Sequence, residues 1–146
     1  MLATVQRVSS AEISVGGEIF SSINDGYLIF VCIEKNDSTQ NIKDMVNKLI
    51  NFRMLDDPDG ITSLSLNNSG KEALIVSQFT LAAITNKGNK PSFHKAANYT
   101  EAKVLYDKFV RLFNSSSILV KEGVFGEHMN ISLTNKGPYT LNITVK

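Results

Sequence analysis

The chain has 146 residues, about one domain's length and enough for a sizeable core, with 42% apolar and 20% charged residues, an ordinary balance for a globular protein. A net charge of +1 excludes a global field that would draw it onto nucleic acid or membrane, so any RNA contact must come from a local patch. The lone Cys32 excludes an internal disulfide, which fits a reducing compartment.

The opening Met1-Leu2-Ala3-Thr4-Val5-Gln6-Arg7 carries polar residues too early for a secretory leader, and no apolar run is long enough to span a bilayer. A cytoplasmic location is expected. Residues 2–34 read as strands, with alternation through residues 4–9 and a Gly16-Gly17 hairpin turn after Ile13 and Val15. Tyr27-Leu28-Ile29-Phe30-Val31-Cys32-Ile33 does not alternate and reads as a strand buried on both faces, with Cys32 a small buried hydrophobe. Asp37 with Gln40 resembles a capping box opening a helix whose apolar positions are Ile42, Met45, Val46, Leu49 and Ile50. Asp56-Asp57-Pro58-Asp59-Gly60 reads as a turn that stops it.

Leu64 and Leu66 form a short predicted strand, and Asn67-Asn68-Ser69-Gly70 turns the chain into a strand over residues 73–79. Residues 84–97 read as a polar loop bearing Lys87, Lys90 and Lys95. A second helix begins near Asn98 with Glu101 as capping partner, its apolar face made by Ala102, Leu105, Phe109, Leu112 and Phe113. Strands return with Met129, Ile131 and Leu133, then Tyr139, Leu141, Ile143 and Val145 beyond a Gly137-Pro138 turn. The expected architecture is one α+β domain over residues 1–146, with a mostly antiparallel or mixed sheet curling toward a barrel and two main helices.

His94 and His128 are isolated and belong to no ligand motif, so no metal is expected. A Ser-His-Asp triad can be drawn from Ser77, His94 or His128, and Asp107, but without a Gly-x-Ser-x-Gly elbow. Ser77-Gln78-Phe79-Thr80 ends an apolar run with hydroxyls, an amide and a ring. One reading makes these groups caps for unpaired strand-end backbone. The other makes the free backbone N–H groups a cradle for a carbonyl oxygen that gains charge in a tetrahedral intermediate, with Thr80 as nucleophile or water-positioning group. Gly137-Pro138 is either a turn or a rigid dipeptide whose carbonyl oxygens and lack of bulk form a steric fence. The three loop lysines are either solvated or phosphate contacts.

Residues 1–7, 77–82, Lys90-Pro91-Ser92-Phe93, Phe125 with Met129, and Asn135-Lys136-Gly137-Pro138-Tyr139-Thr140 resemble their counterparts in the D-aminoacyl-tRNA deacylases, nearly end to end. That resemblance implies a cofactor-free chiral proofreading hydrolase of translation quality control. It would cleave the ester of tRNA mischarged with a D-amino acid, or of tRNA-Ala mischarged with glycine, and reject L-aminoacyl-tRNA. It implies a homodimer with a cross-subunit active site, in which Gly137 and Pro138, in a cis peptide, reach the partner's pocket and Arg7 holds their orientation. Ser77, Gln78, Phe79 and Thr80 would shape that pocket, Phe125 and Met129 would lie beside the terminal adenine, and the partner is the aminoacyl-tRNA 3′ end, with no DNA or membrane. A sister family carries a trans Gly-Pro, whereas the Asn135-Lys136 context resembles the cis type. Ile84 departs from the family, standing where relatives often carry a polar residue. Two other readings are a non-catalytic RNA-binding module using residues 87–95, and a general esterase with a Ser77 or Thr80 nucleophile.

Overall fold

Six strands form one mixed sheet, described here from a computed structural model that covers residues 1–86 and 88–146. The long first strand β1 (Leu2–Val15) organises it. One edge of β1 pairs antiparallel with β3 (Gly26–Cys32) over residues 2–8 and with β2 (Glu18–Ile23) over residues 11–15. Its other edge pairs along its length with β8 (Asn130–Thr144). β3 continues in parallel to β6 (Glu72–Ser77), and β6 to β7 (Leu119–Glu122). A hydroxyl bond from Ser21 on β2 to the Glu122 carbonyl of β7 (3.0 Å) draws the far ends together, so the sheet nearly closes into a barrel. Gly26 starts β3 where a Cβ would sit 1.9 Å from the Glu72 carbonyl oxygen, so only glycine lets the two parallel strands begin side by side.

The pleat sends alternate residues to two apolar clusters. Ala3, Val5, Tyr27, Ile29, Ala73 and Ile75 face helices α1 (Thr39–Asn51) and α3 (Tyr99–Asn114), which contribute Ile42, Met45, Leu49, Phe109 and Phe113. Val8, Ile13, Leu28, Leu74 and Val76 face the barrel interior. β3 is buried on both faces, as its unbroken apolar run predicts. Truncating the fully buried Phe109 or Phe113 to alanine costs about 3–5 kcal/mol.

Several predicted details move. The N-cap of α1 is Ser38, whose hydroxyl accepts from the Gln40 and Asn41 N–H groups at 3.2 and 3.4 Å. Asp37 is engaged elsewhere, accepting from the Met1 ammonium and the Glu34 N–H, each at 2.7 Å. A hairpin of β4 (Leu55–Asp56) and β5 (Thr62–Leu64) flanks the Asp-rich turn. Leu66 is not in that strand but opens a short helix, α2 (Leu66–Ser69), closed by Gly70. β6 stops at Ser77, because the chain enters a 3-10 turn at Phe79–Ala82. β7 has no counterpart in the sequence reading, since its four residues are too few to show a period. Residues 136–139 make no reversal: Gln6 pairs with Thr140 and Val8 with Asn135, so the Gly-Pro segment bulges from a strand that keeps its direction.

Candidate active site

Because β3 and β6 are parallel, their carboxyl ends lie together, the usual place for a ligand in such a sheet. A cavity of about 720 Å³ opens there. Ser77, Gln78, Phe79 and Thr80 line it from one side, and Phe125 and Met129 from the segment entering β8. The structure therefore gathers six of the nine sequence-predicted site residues into one cavity. All four residues of the 77–80 segment contribute because strand alternation ends at Ser77 and the backbone coils.

Gln78 N–H completes the sheet by donating to the Val31 carbonyl at 2.8 Å. The first bond of the 3-10 turn is Leu81 N–H to Gln78 carbonyl at 3.2 Å. The N–H groups of Phe79 and Thr80 precede that bond and stand outside the turn's ladder. The Gln78 side-chain amide donates to the Thr80 hydroxyl oxygen, so the neighbour of that hydroxyl is a donor rather than a base. Cys32 lines the same cavity, but burial pushes its thiol up to about 11, and it lies 3.6 Å from the Phe79 carbonyl oxygen. Aromatic edges stiffen the walls: Phe79 against Phe93 at 5.3 Å, and Tyr106 against Phe125 at 5.2 Å.

The triad drawn on paper does not assemble. The His94 ring is 2.9 Å from the Ser92 hydroxyl, and Asp107 is paired with Lys103 at 2.6 Å. His128 lines the cavity, yet among the described residues no hydrogen bond ties it to Ser77 or Thr80. Among the described residues no group of three His, Cys, Asp or Glu could hold a metal, and no helix is long and apolar enough to cross a membrane. Lys90 and Lys95 are exposed and line no part of the cavity, and Lys87 lies outside the described residues. Ile84 is tied to Ser92 by two backbone bonds, at 2.8 and 3.1 Å.

Arg7, Gly137 and Pro138 form a second constellation. The Gly137–Pro138 peptide is cis and both residues are exposed. The buried Arg7 guanidinium donates from Nε to the Lys136 carbonyl (2.9 Å) and from Nη2 to the Gly137 carbonyl, and stacks 4.7 Å over the Tyr139 ring. Its Nη1 donates to the Met54 carbonyl (3.0 Å) and to Asp56 (2.8 Å). The Thr62 hydroxyl beside Asp56, and then Arg7, hold that carboxyl below its ordinary 3.8. Asn135 donates to the Arg7 carbonyl at 2.9 Å, closing the bulge from below.

Within one chain the two constellations stand apart. Ser77 pairs with Val31 and Val31 with Ala3, while Arg7 lies four positions further along β1, about 13 Å at the rise of a strand. The bulge also sits three strands away, on β8.

A family model described as D-Tyr-tRNA(Tyr) deacylase matches residues 4–144. The chain belongs to this family. Among related deacylases, the D-aminoacyl-tRNA deacylase of Pseudoalteromonas atlantica is 42% identical over 145 residues, 99% of this chain and 100% of its own. That of Thermodesulfovibrio yellowstonii is 42% identical over the full length of both chains. A solved structure titled c-Myc DNA Unwinding Element Binding Protein superposes with a TM-score of 0.95 at 36% identity, covering 100% of this chain and 99% of that one. A probable eukaryotic D-amino acid tRNA deacylase, at 15% identity and a TM-score of 0.79, shares the fold over 97% of this chain and 98% of its own. In this chain the 77–80 turn follows the carboxyl end of β6, whereas the Gly-Pro bulge lies three strands away on β8, beside the middle of β1.

Proposed function

We propose that this protein hydrolyses the ester joining a D-amino acid to the 3′-terminal adenosine of tRNA, and the glycyl ester of mischarged tRNA-Ala, sparing L-aminoacyl-tRNA. The full-length family match carries this reading, together with a cavity that collects residues 77–80, Phe125 and Met129. In it, the carbonyl oxygen lies against the N–H groups of Phe79 and Thr80. Water attacks the ester carbon, negative charge builds on that oxygen, and the bond to the ribose oxygen breaks as that oxygen takes up a proton. An aminoacyl ester is already activated, so orientation and a placed pair of N–H donors supply much of the acceleration. The terminal 2′-hydroxyl of the tRNA assists, and Thr80 positions rather than attacks, since the Gln78 amide that bonds its hydroxyl is a donor and not a base.

Selectivity comes from a second copy. Two chains pair so that each Gly137–Pro138 bulge enters the other's cavity, its carbonyl oxygens standing where an L side chain would project. A hydrogen fits there, which admits both glycine and D-amino acids. The exposed bulge, anchored by Arg7 and remote from its own cavity, supports this cross-subunit arrangement. The site needs no cofactor, and we place the enzyme in the cytoplasm with its tRNA substrates.

The test is release of amino acid from D- and L-tyrosyl-tRNA incubated with the protein. Rapid loss of the D ester with the L ester intact is expected. Neither ester cleaved above buffer, with tRNA still bound, would leave a binding module instead. Equal cleavage of both, with a trapped acyl adduct on Ser77 or Thr80, would leave a general esterase.

A further inference from the structure

Tyr99 is the first residue of α3, and the Asn98 side chain caps that turn by accepting from the Glu101 N–H at 3.0 Å. Its ring stands edge-on to Phe125, with centroids 5.3 Å apart and planes 69° apart. Part of the ring rests on Gly126, whose φ of +83° and missing side chain make room for it. A Cβ there would fall 2.9 Å from Cε2 of Tyr99 and 3.1 Å from its hydroxyl. Despite these supports the residue is 65% exposed, and it lines the mouth of the cavity that holds residues 77–80. A ring fixed on one side and open on the other, with only two side-chain torsions to order, is a ready platform for a flat ligand.

We infer that Tyr99 stacks the base of the nucleotide preceding the terminal adenosine, as the single-stranded 3′ end leaves the cavity over its rim. This rests on the deacylase reading. Phe125 is half-buried in the cavity wall and suits the terminal nucleoside, whereas Tyr99, far more exposed at the mouth of the same cavity, suits the base that follows. Stacking rather than phosphate pairing suits this rim. The neighbouring Lys103, 5.7 Å over Phe125, is neutralised by Asp107 at 2.6 and 2.7 Å.

The experiment compares Tyr99→Ala and Tyr99→Phe on two substrates, D-tyrosyl-tRNA and D-tyrosyl-adenosine, the second lacking the preceding nucleotide. Tyr99→Ala is expected to raise KM for the tRNA about 5- to 100-fold, with kcat nearly unchanged and the adenosine ester unaffected. Tyr99→Phe, which keeps the ring, should behave as wild type on both. An unchanged KM for tRNA in Tyr99→Ala, an equal loss on both substrates, or failure of phenylalanine to rescue would overturn the inference. Wild-type protein cleaving neither substrate would instead overturn the deacylase reading itself.

Discussion

Replacing Arg7 by methionine tests whether the guanidinium holds the Gly-Pro bulge. Methionine keeps the length and apolar stem of Arg7, which is 5% exposed, and removes every donor. The carbonyls of Lys136 and Gly137 lie on an exposed bulge, where water can replace the lost bonds. The Met54 carbonyl is buried and stays unpaired, at a cost of about 1–3 kcal/mol. Loss of the cation over Tyr139 adds about 0.5–1 kcal/mol. The pair with Asp56 is part-buried, but the carboxylate keeps its bond from the Thr62 hydroxyl and a partly open side, so its loss adds less. The total is about 2–4 kcal/mol, which for a chain of this size lowers Tm by about 4–16 °C. Thermal unfolding at one fixed protein concentration reads the stability, and the ratio of D- to L-tyrosyl-tRNA hydrolysis, measured well below the new Tm, reads the bulge. Tm is expected to fall by that amount and the ratio to collapse. A variant with wild-type Tm and wild-type ratio would refute the role given to Arg7.

Thr80→Ala is expected to keep D-tyrosyl-tRNA hydrolysis within about tenfold of wild type, since among the described residues the hydroxyl is bonded by the Gln78 amide, a donor, and by no base; abolished turnover would make Thr80 the nucleophile. Because burial pushes the Cys32 thiol up to about 11, iodoacetamide at pH 8 should label it only after unfolding, and rapid labelling of native protein would contradict its placement. The raised folded value also means that the native stability linked to this thiol is present below its ordinary 9.0 and is lost as pH climbs toward 11, a loss that Cys32→Ala should remove from an alkaline Tm series. Asp56 has the opposite sign: its folded value lies below 3.8, so its contribution is full above that pH and falls away as the medium becomes more acid. Asp56→Asn should flatten the acid limb of Tm against pH below about pH 4, and an unchanged limb would dissociate Asp56 from the Arg7 clamp.

The fold was legible wherever a period ran long enough. The apolar stripes of α1 and α3 and the unbroken run of β3 each predicted burial that the structure shows. Caps were half legible: Asn98 was found, but at α1 the choice between Asp37 and Ser38 turns on the Met1 ammonium, which local pattern does not reveal. β7 was missed because four residues carry no period, and Leu66 because a lone apolar residue fits strand and helix alike. The 77–80 segment stood out through polarity at the end of an apolar run. Tyr99 and Gly126 did not, and His128 drew notice only for a triad that does not assemble, since nothing in their spacing shows that the start of α3 and the entry to β8 converge on one cavity. The Gly-Pro bulge looked like a reversal because only the ladder to β1 on both flanks reveals that the strand runs on.

Subunit complementation addresses the cross-subunit site most directly. One chain carries Ala96→Trp, which fills the cavity. The other carries Gly137→Phe, which the fold admits because a Cβ at Gly137 meets nothing within 4 Å. Each variant alone should be inactive. In a mixed dimer one site collects both defects and the other neither, so D-tyrosyl-tRNA hydrolysis should return to about half the wild-type rate per dimer. Mixed dimers as inactive as either parent would show that each bulge serves its own chain's cavity, contradicting the assembly proposed here.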